Sequence, residues 1–157
     1  MKKKLLILSA SHNEVDLVKR AKELGYYTIV TDWYNAVHSP AKLIADEFWN
    51  ISWSDIDSLE TQCRTSHVDG VIGGYSEFVV EAVINLCERL QLPCYCTKEQ
   101  LDITRDKIKF KKVCRDSGVP VVEEYSSIEE VKICPKKTLP NSSSMIISLY
   151  QKTIKYI

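Results

Sequence analysis

Several short stretches of this chain place ligand-holding side chains where an apolar run gives way to a helical pattern. Gly73-Gly74-Tyr75-Ser76-Glu77 follows one such run. Paired glycines let backbone come close to a ligand, and a carboxylate beside them suits a substrate amine. The same residues also read as a helix start, with Ser76 as its cap and Glu77 complementing its dipole. Ser9-Ala10-Ser11-His12-Asn13 is a second turn of this kind. Helix-terminal N–H groups favour an anion, which Ser11 and His12 would hold; the plainer reading is a capped helix start. No glycine precedes Gly25, which argues against close approach of a pyrophosphate and against an NAD site. Asp32 ends a strand-like run, where a dinucleotide-binding domain would place the acid that holds a ribose hydroxyl; without the glycine fingerprint that meaning loses its support. Asp106-Lys107 opens a further helical segment, and a lysine there can reach over a phosphate as a compact point charge. The alternative is that Lys107, Lys109, Lys111 and Lys112 form a solvated basic face. No residue is assigned as catalytic or as a metal ligand.

The elements that must position these groups follow from hydrophobic period. Short apolar runs at residues 5–8, 27–31, 48–51, 71–72 and 94–96 read as five strands, too continuous to be half-exposed. Between them lie helical patterns. Ser11 and Glu14 have capping-box spacing, which predicts a helix burying Leu17, Val18, Ala21 and Leu24 and stopping at Gly25. A short helix is expected at 41–45 and another at 55–66. At 77–91, Phe78, Val79, Ala82, Val83, Leu86 and Leu90 form one apolar stripe. Helices at 97–104 and 107–117 follow, the second capped by Asp106, and 119–122 is extended. The fold class is therefore α/β: an open, mostly parallel, five-stranded Rossmann-like sheet with helices on both faces, and a short helical or extended C-terminal extension.

Three segments in order carry a resemblance. They are residues 69–78 (DGVIGGYSEF), 90–97 (LQLPCYCT) and 105–120 (RDKIKFKKVCRDSGVP), and residues 40–46 (PAKLIAD) add a P-x-x-x-x-A-D pattern. The order resembles the start of ATP-grasp enzymes such as biotin carboxylase, the carbamoyl-phosphate synthase large subunit and purine-biosynthetic ligases. The resemblance implies a pre-ATP-grasp domain at 1–104, the beginning of the ATP-grasp module at 105–134, and an atypical tail at 135–157, disordered or frame-disrupted. It further implies Lys107 on the ATP phosphates and Glu77 on a small-molecule carboxylate substrate, with ATP and magnesium as cofactors of the intact enzyme and carboxylate–amine or carboxylate–thiol ligation as its reaction. A homodimer is compatible with it. The second lysine in a V-K-P-type strand, the glycine-rich loop and the later magnesium ligands of the family have no match here, and no glycine occurs after Gly118. The expectation is a chain cut short before its catalytic module, inactive alone and binding no cofactor tightly. The other reading is a stand-alone Rossmann- or flavodoxin-like binding or regulatory domain whose basic tail contacts a partner.

Composition sets the outer bounds. A chain of 157 residues with 45% apolar residues and zero net charge suits one core and offers no field to attract nucleic acid or an anionic membrane. Charge is uneven: from Pro135 onward there are four lysines and no acid, leaving 17 basic against 21 acidic groups before it. The apolar run at 5–8 is too short for a signal-peptide core, so the location expected is cytoplasmic. The six cysteines show no paired zinc-ligand spacing and read as reduced, mostly buried thiols. His38 and His67 read as loop and surface residues.

Overall fold

The computed structural model describes residues 2–122. The expected tail at 135–157, and Cys134, lie outside them. In chain order the elements are β1 (Lys4–Leu8), α1 (His12–Glu23), β2 (Tyr27–Thr31), a 3₁₀ turn (Ala36–His38), α2 (Pro40–Ile44), β3 (Glu47–Trp49), α3 (Ile56–Ser66), β4 (Gly70–Gly73), α4 (Glu77–Leu90), α5 (Lys98–Arg105) and α6 (Lys107–Asp116).

All strand pairings are parallel and the order is β3-β2-β1-β4. β1 is therefore interior, with Leu6 level with both Ile29 and Val71. Successive strand side chains point to opposite faces, so the sheet builds two cores. On one face Leu6, Leu8, Ile29, Trp49 and Val71 pack with Leu59 and Cys63 of α3 and with Val79, Ala82, Val83, Leu86 and Cys87 of α4. On the other, Ile7 and Val30 pack with Val18 of α1 and Ala41 of α2, and Ile72 lies against them half-buried. Coverage of both faces is what continuous apolar strands require.

The local signals for helix ends are realised in detail. Ser11 and Glu14 close a capping box on α1, and Thr97 with Gln100 closes one on α5. Asp106 accepts from the N–H groups of Ile108 and Lys109 at 2.8 and 3.1 Å, starting α6. Gly118 follows α6 at φ +70°, a left-handed stop that suits glycine.

The structure corrects four expectations. Among the described residues the sheet has four strands, not five; residues 94–96 form no strand, and Tyr95 and Cys96 make a bend. Pro93 removes a donor and Thr97 already caps α5, so three residues remain, too few to build a ladder. Cys94 instead packs against the core beneath α4. Leu24 is exposed because it is the C-cap of α1, where the chain turns off the sheet. Phe78 is exposed because Val79 takes the inward position in the first turn of α4, against Gly73, and Ile84 and Cys87 take part in the buried face instead. Leu17 is only half-buried.

One corner of the fold is polar and buried. Lys42 of α2 is fully buried, and its Nζ donates to the carbonyls of Asp32 and Tyr34 and to Asn50 Oδ1. Three acceptors satisfy all three ammonium donors. Close by, Asp46 Oδ2 accepts from the Thr28 N–H and hydroxyl, both at 2.8 Å, and Oδ1 pairs with Lys22 at 3.0 Å. Burial pushes the Asp46 carboxyl up, but the Thr28 hydrogen bonds and Lys22 outweigh it and hold it below its ordinary value. Burial holds the Lys42 amine below the ordinary 10.5, against the raising effect of Asp32. The unfolded chain therefore binds this proton more tightly, and stability from this site should rise with pH through the window just below 10.5. Lys42→Met should unfold at lower urea by about 1–3 kcal/mol, because three acceptors lose their donor. In paired urea titrations, the Lys42→Met variant should also lack the wild-type gain across that window; identical pH profiles would contradict the assignment.

Candidate functional site

The chain runs outward from β1 to β2 to β3 and then crosses to β4 on the other side of β1. Such a reversal leaves a crevice between the carboxyl ends of β1 and β4. Its walls are the β1–α1 turn, with Ser11 and His12, and the β4–α4 turn, with Gly74, Ser76 and Glu77.

The crevice floor is occupied by a side chain that sequence reading treated only as a cap partner. Glu14 is buried, 3% exposed. Its Oε2 accepts from the Ser11 N–H at 2.9 Å, the Ser11 hydroxyl at 2.6 Å and the Ser9 hydroxyl at 3.3 Å. Ser9 takes a left-handed φ of 74° to do so, which is uncommon for a residue with a side chain. The chain's own carboxylate thus lies at the helix terminus that would attract an anion. Gly74 borders it so closely that any Cβ there would strike Glu14 Oε1, and a Cβ on Gly73 would come within 2.5 Å of Val79. The glycine pair is required by packing whether or not a ligand approaches.

The remaining candidates lie around this floor. His12 is the exposed first residue of α1. Ser76 is the exposed N-cap of α4 and makes no side-chain cap bond. Glu77 is exposed and engaged: its carboxylate lies 3.4 Å from Arg105 Nε, and its carbonyl accepts from Arg105 Nη2 at 3.1 Å. The same Nη2 donates to Glu81 at 2.9 Å. Arg105 Nε is itself buried without a hydrogen bond, so the guanidinium is held through Nη2, by the Glu77 carbonyl and the Glu81 carboxylate, with the Glu77 carboxylate as a longer ion pair. Arg105 ends α5, and Asp106-Lys107 follows it directly, with Lys107 exposed. One arginine therefore ties the turn bearing Glu77 to the helix start bearing Lys107. Asp32 is buried at the end of β2, its Oδ1 accepting from the Tyr34 N–H at 3.3 Å.

Glu14, Lys42 and Arg105 were missed as organising residues. For Glu14 a signal existed, the capping-box spacing, but its burial depends on β4 arriving next to β1. Among the described residues no group of three or more His, Cys, Asp or Glu could hold a metal ion, and no helix is long and apolar enough to cross a membrane. Burial pushes the Cys63 and Cys87 thiols up to about 12, which leaves them un-ionised and unreactive. An open cavity of about 300 Å³ bordered by Cys63, His67 and Leu92 lies where α3 and α4 end, at the opposite end of the strands from the crevice.

No family model matches the sequence, and no curated protein matches it. Solved structures do. The N5-carboxyaminoimidazole ribonucleotide synthetase of Thermotoga maritima superposes with a TM-score of 0.62 at 24% identity, over 82% of this chain and 35% of that one. Phosphoribosylglycinamide synthetase from Anaerococcus prevotii gives 0.62 at 27% identity, over 84% of this chain and 34% of that one. The biotin carboxylase domain dimer of the Hydrogenobacter thermophilus 2-oxoglutarate carboxylase, solved with MgADP and bicarbonate, gives 0.65 at 23% identity over 84% and 32%. These are ATP-grasp enzymes, and the resemblance read from residues 69–120 holds in three dimensions. The chain spans about a third of the length of each.

The Glu14–Gly74 contact makes a separable prediction. Gly74→Ala should destabilise the chain by about 1–3 kcal/mol through overpacking. The same substitution in a Glu14→Ala background should cost at least about 1 kcal/mol less, because the atom it strikes is gone. A double-mutant cycle read by chemical denaturation checks this, and additive costs would disprove the contact.

Proposed function

We propose that this chain is the pre-ATP-grasp part of an ATP-dependent ligase that joins a small-molecule carboxylate to an amine or a thiol. The observation that supports this most directly is the Arg105 bridge. It sets Glu77 and the Asp106-Lys107 helix start in one frame, on a fold shared with ATP-grasp enzymes. In this reading residues 1–104 form the substrate-side domain and residues 105–134 begin the nucleotide-side module. Ser11, His12, Ser76 and Glu77 hold the substrate and Lys107 meets the ATP phosphates. The site of action is the cytoplasm.

The chemistry proposed has two balanced steps. A substrate carboxylate oxygen attacks the γ-phosphorus of ATP, forming an acyl phosphate and releasing ADP. The amine or thiol then attacks the acyl carbon and expels phosphate, its proton leaving with the phosphate. Lys107 offsets negative charge on the transferring group, where a fixed cation is most effective. Glu77 orients the incoming amine, exchanging its contact with Arg105 for one with substrate. Magnesium, bound with ATP, would supply charge neutralisation at the phosphates; among the described residues no group of three or more His, Cys, Asp or Glu could hold it.

The residues in hand provide one wall of such a cleft. A single exposed lysine–phosphate contact contributes about 1 kcal/mol or less, whereas micromolar affinity needs about −8 kcal/mol. Calorimetric titration of the chain with Mg-ATP should accordingly show no micromolar binding and no turnover. At millimolar Mg-ATP, amide shifts in NMR should concentrate at the start of α6 and around Glu77 and Arg105, and should fade in Lys107→Ala. Shifts centred elsewhere would overturn the assignment of Lys107. Micromolar binding lost in Lys107→Ala would overturn the view that this wall is insufficient by itself.

A further inference from the structure

The crevice between β1 and β4 contains two sets of polar groups that the described residues leave unmatched. The first is one oxygen of Glu14, a side chain only 3% exposed. Oε2 takes the three hydrogen bonds from Ser9 and Ser11. Oε1 accepts none, and no Lys, Arg or His among the described residues pairs with this carboxylate. Oε1 is turned to the β4–α4 turn, where a Cβ on Gly74 would come within 2.0 Å of it. It is not enclosed: among the described residues the sealed polar atom without a partner is Arg105 Nε. The second set is the N-terminus of α4, three residues further along the same turn. Ser76 makes no cap bond, and the Glu77 carboxylate that could replace it is drawn to Arg105 at 3.4 Å. The N–H groups of Glu77, Phe78 and Val79 therefore have no acceptor among the described residues. The starts of α1, α3, α5 and α6 are each met by a side chain.

We infer that the crevice binds the head group of an α-amino acid, its ammonium on Glu14 Oε1 and its carboxylate on the open start of α4. Charge decides the class of ligand. A simple anion on α4 would lie beside the unpaired Glu14 carboxylate. A simple cation on Glu14 would lie beside the positive end of the α4 dipole. An α-amino acid carries both charges on one carbon and answers both groups at once. An ammonium is the donor that a buried carboxylate most favours, because charge-assisted hydrogen bonds are the stronger ones and an unpaired buried charge is costly. The β1–α1 turn is thereby not an anion site, since Glu14 already occupies its N–H and hydroxyl donors. As the carboxylate partner in the proposed ligation, a reading this assignment builds on, such an amino acid would present its carboxylate towards the wall that Arg105 ties to Lys107.

Amide NMR titration of the whole chain with glycine, in the absence of nucleotide, tests this. Glycine should bind in the millimolar range and shift the amides of Gly74, Glu77, Phe78 and Val79. Glycolate replaces the ammonium by a hydroxyl, and methylammonium lacks the carboxylate; each should bind at least about tenfold more weakly. Glu14→Gln retains the capping box, which accepts glutamine at this position. It should weaken glycine binding at least about tenfold and remove its advantage over glycolate. Thermal unfolding establishes that the variant is folded; should it not fold, the three probes on the wild-type chain decide the matter alone. Absence of shifts at the highest glycine concentration overturns the assignment. So does equal binding of glycine and glycolate, or a folded Glu14→Gln that binds glycine as the wild type does. The shifts expected with Mg-ATP at the start of α6 belong to the ligase reading, and they hold or fail separately because no nucleotide enters this titration.

Discussion

The seating of Glu14 is the contact on which the candidate site depends. One buried carboxylate oxygen takes three donors from the β1–α1 turn, and the opposite oxygen faces Gly74 in the β4–α4 turn so closely that no side chain fits between them. A buried carboxylate is costly unless its lone pairs are met. Meeting them here obliges Ser9 to adopt a left-handed backbone and obliges the facing residue to be glycine. The two turns that wall the crevice are thereby set at one separation, and everything proposed to touch a substrate is carried on them.

A second polar knot stabilises the far side of the sheet. Lys42 and Asp46 occupy the P-x-x-x-x-A-D segment, and both side chains turn inward to backbone groups of β2 and the loop after it. The segment's two charged positions therefore have a structural use that requires no ligand: Lys42 satisfies carbonyls at the end of β2, and Asp46 satisfies Thr28 at its start. This is why a motif that helps identify a fold need not mark a reactive group.

Arg105 makes a comparable link on the opposite side. It joins α5 to the first turn of α4 through Glu77 and Glu81, at the point where the chain passes from the sheet domain to α6. The buried residues of the chain include none from α6, so that helix takes its position from the Arg105 tie, the Asp106 cap and packing on α5 rather than from a core of its own. A helix oriented this way is suited to form part of a cleft wall.

What the sequence determined by itself were the features governed by nearest neighbours. Strand positions followed from unbroken apolar runs, because both faces of a parallel sheet must be dry, and helix starts followed from Ser11 and Asp106, because a cap bonds within three residues of itself. The order of the three segments at 69–120 was enough to indicate ATP-grasp enzymes. Tertiary structure decided what depends on which elements meet. Residues 94–96 have strand composition, but Pro93 and the cap at Thr97 leave no length for pairing. Phe78 and Leu24 fit an apolar stripe, but Val79 takes the inward position in the first turn of α4 and Leu24 falls on the C-cap of α1. Glu14 and Lys42 look like surface charges, since burial of an ionised group is tolerated only where distant backbone atoms converge on it. Those partners are brought in by β4 crossing to the far side of β1 and by α2 folding back over β2, and no local pattern in the chain encodes either event.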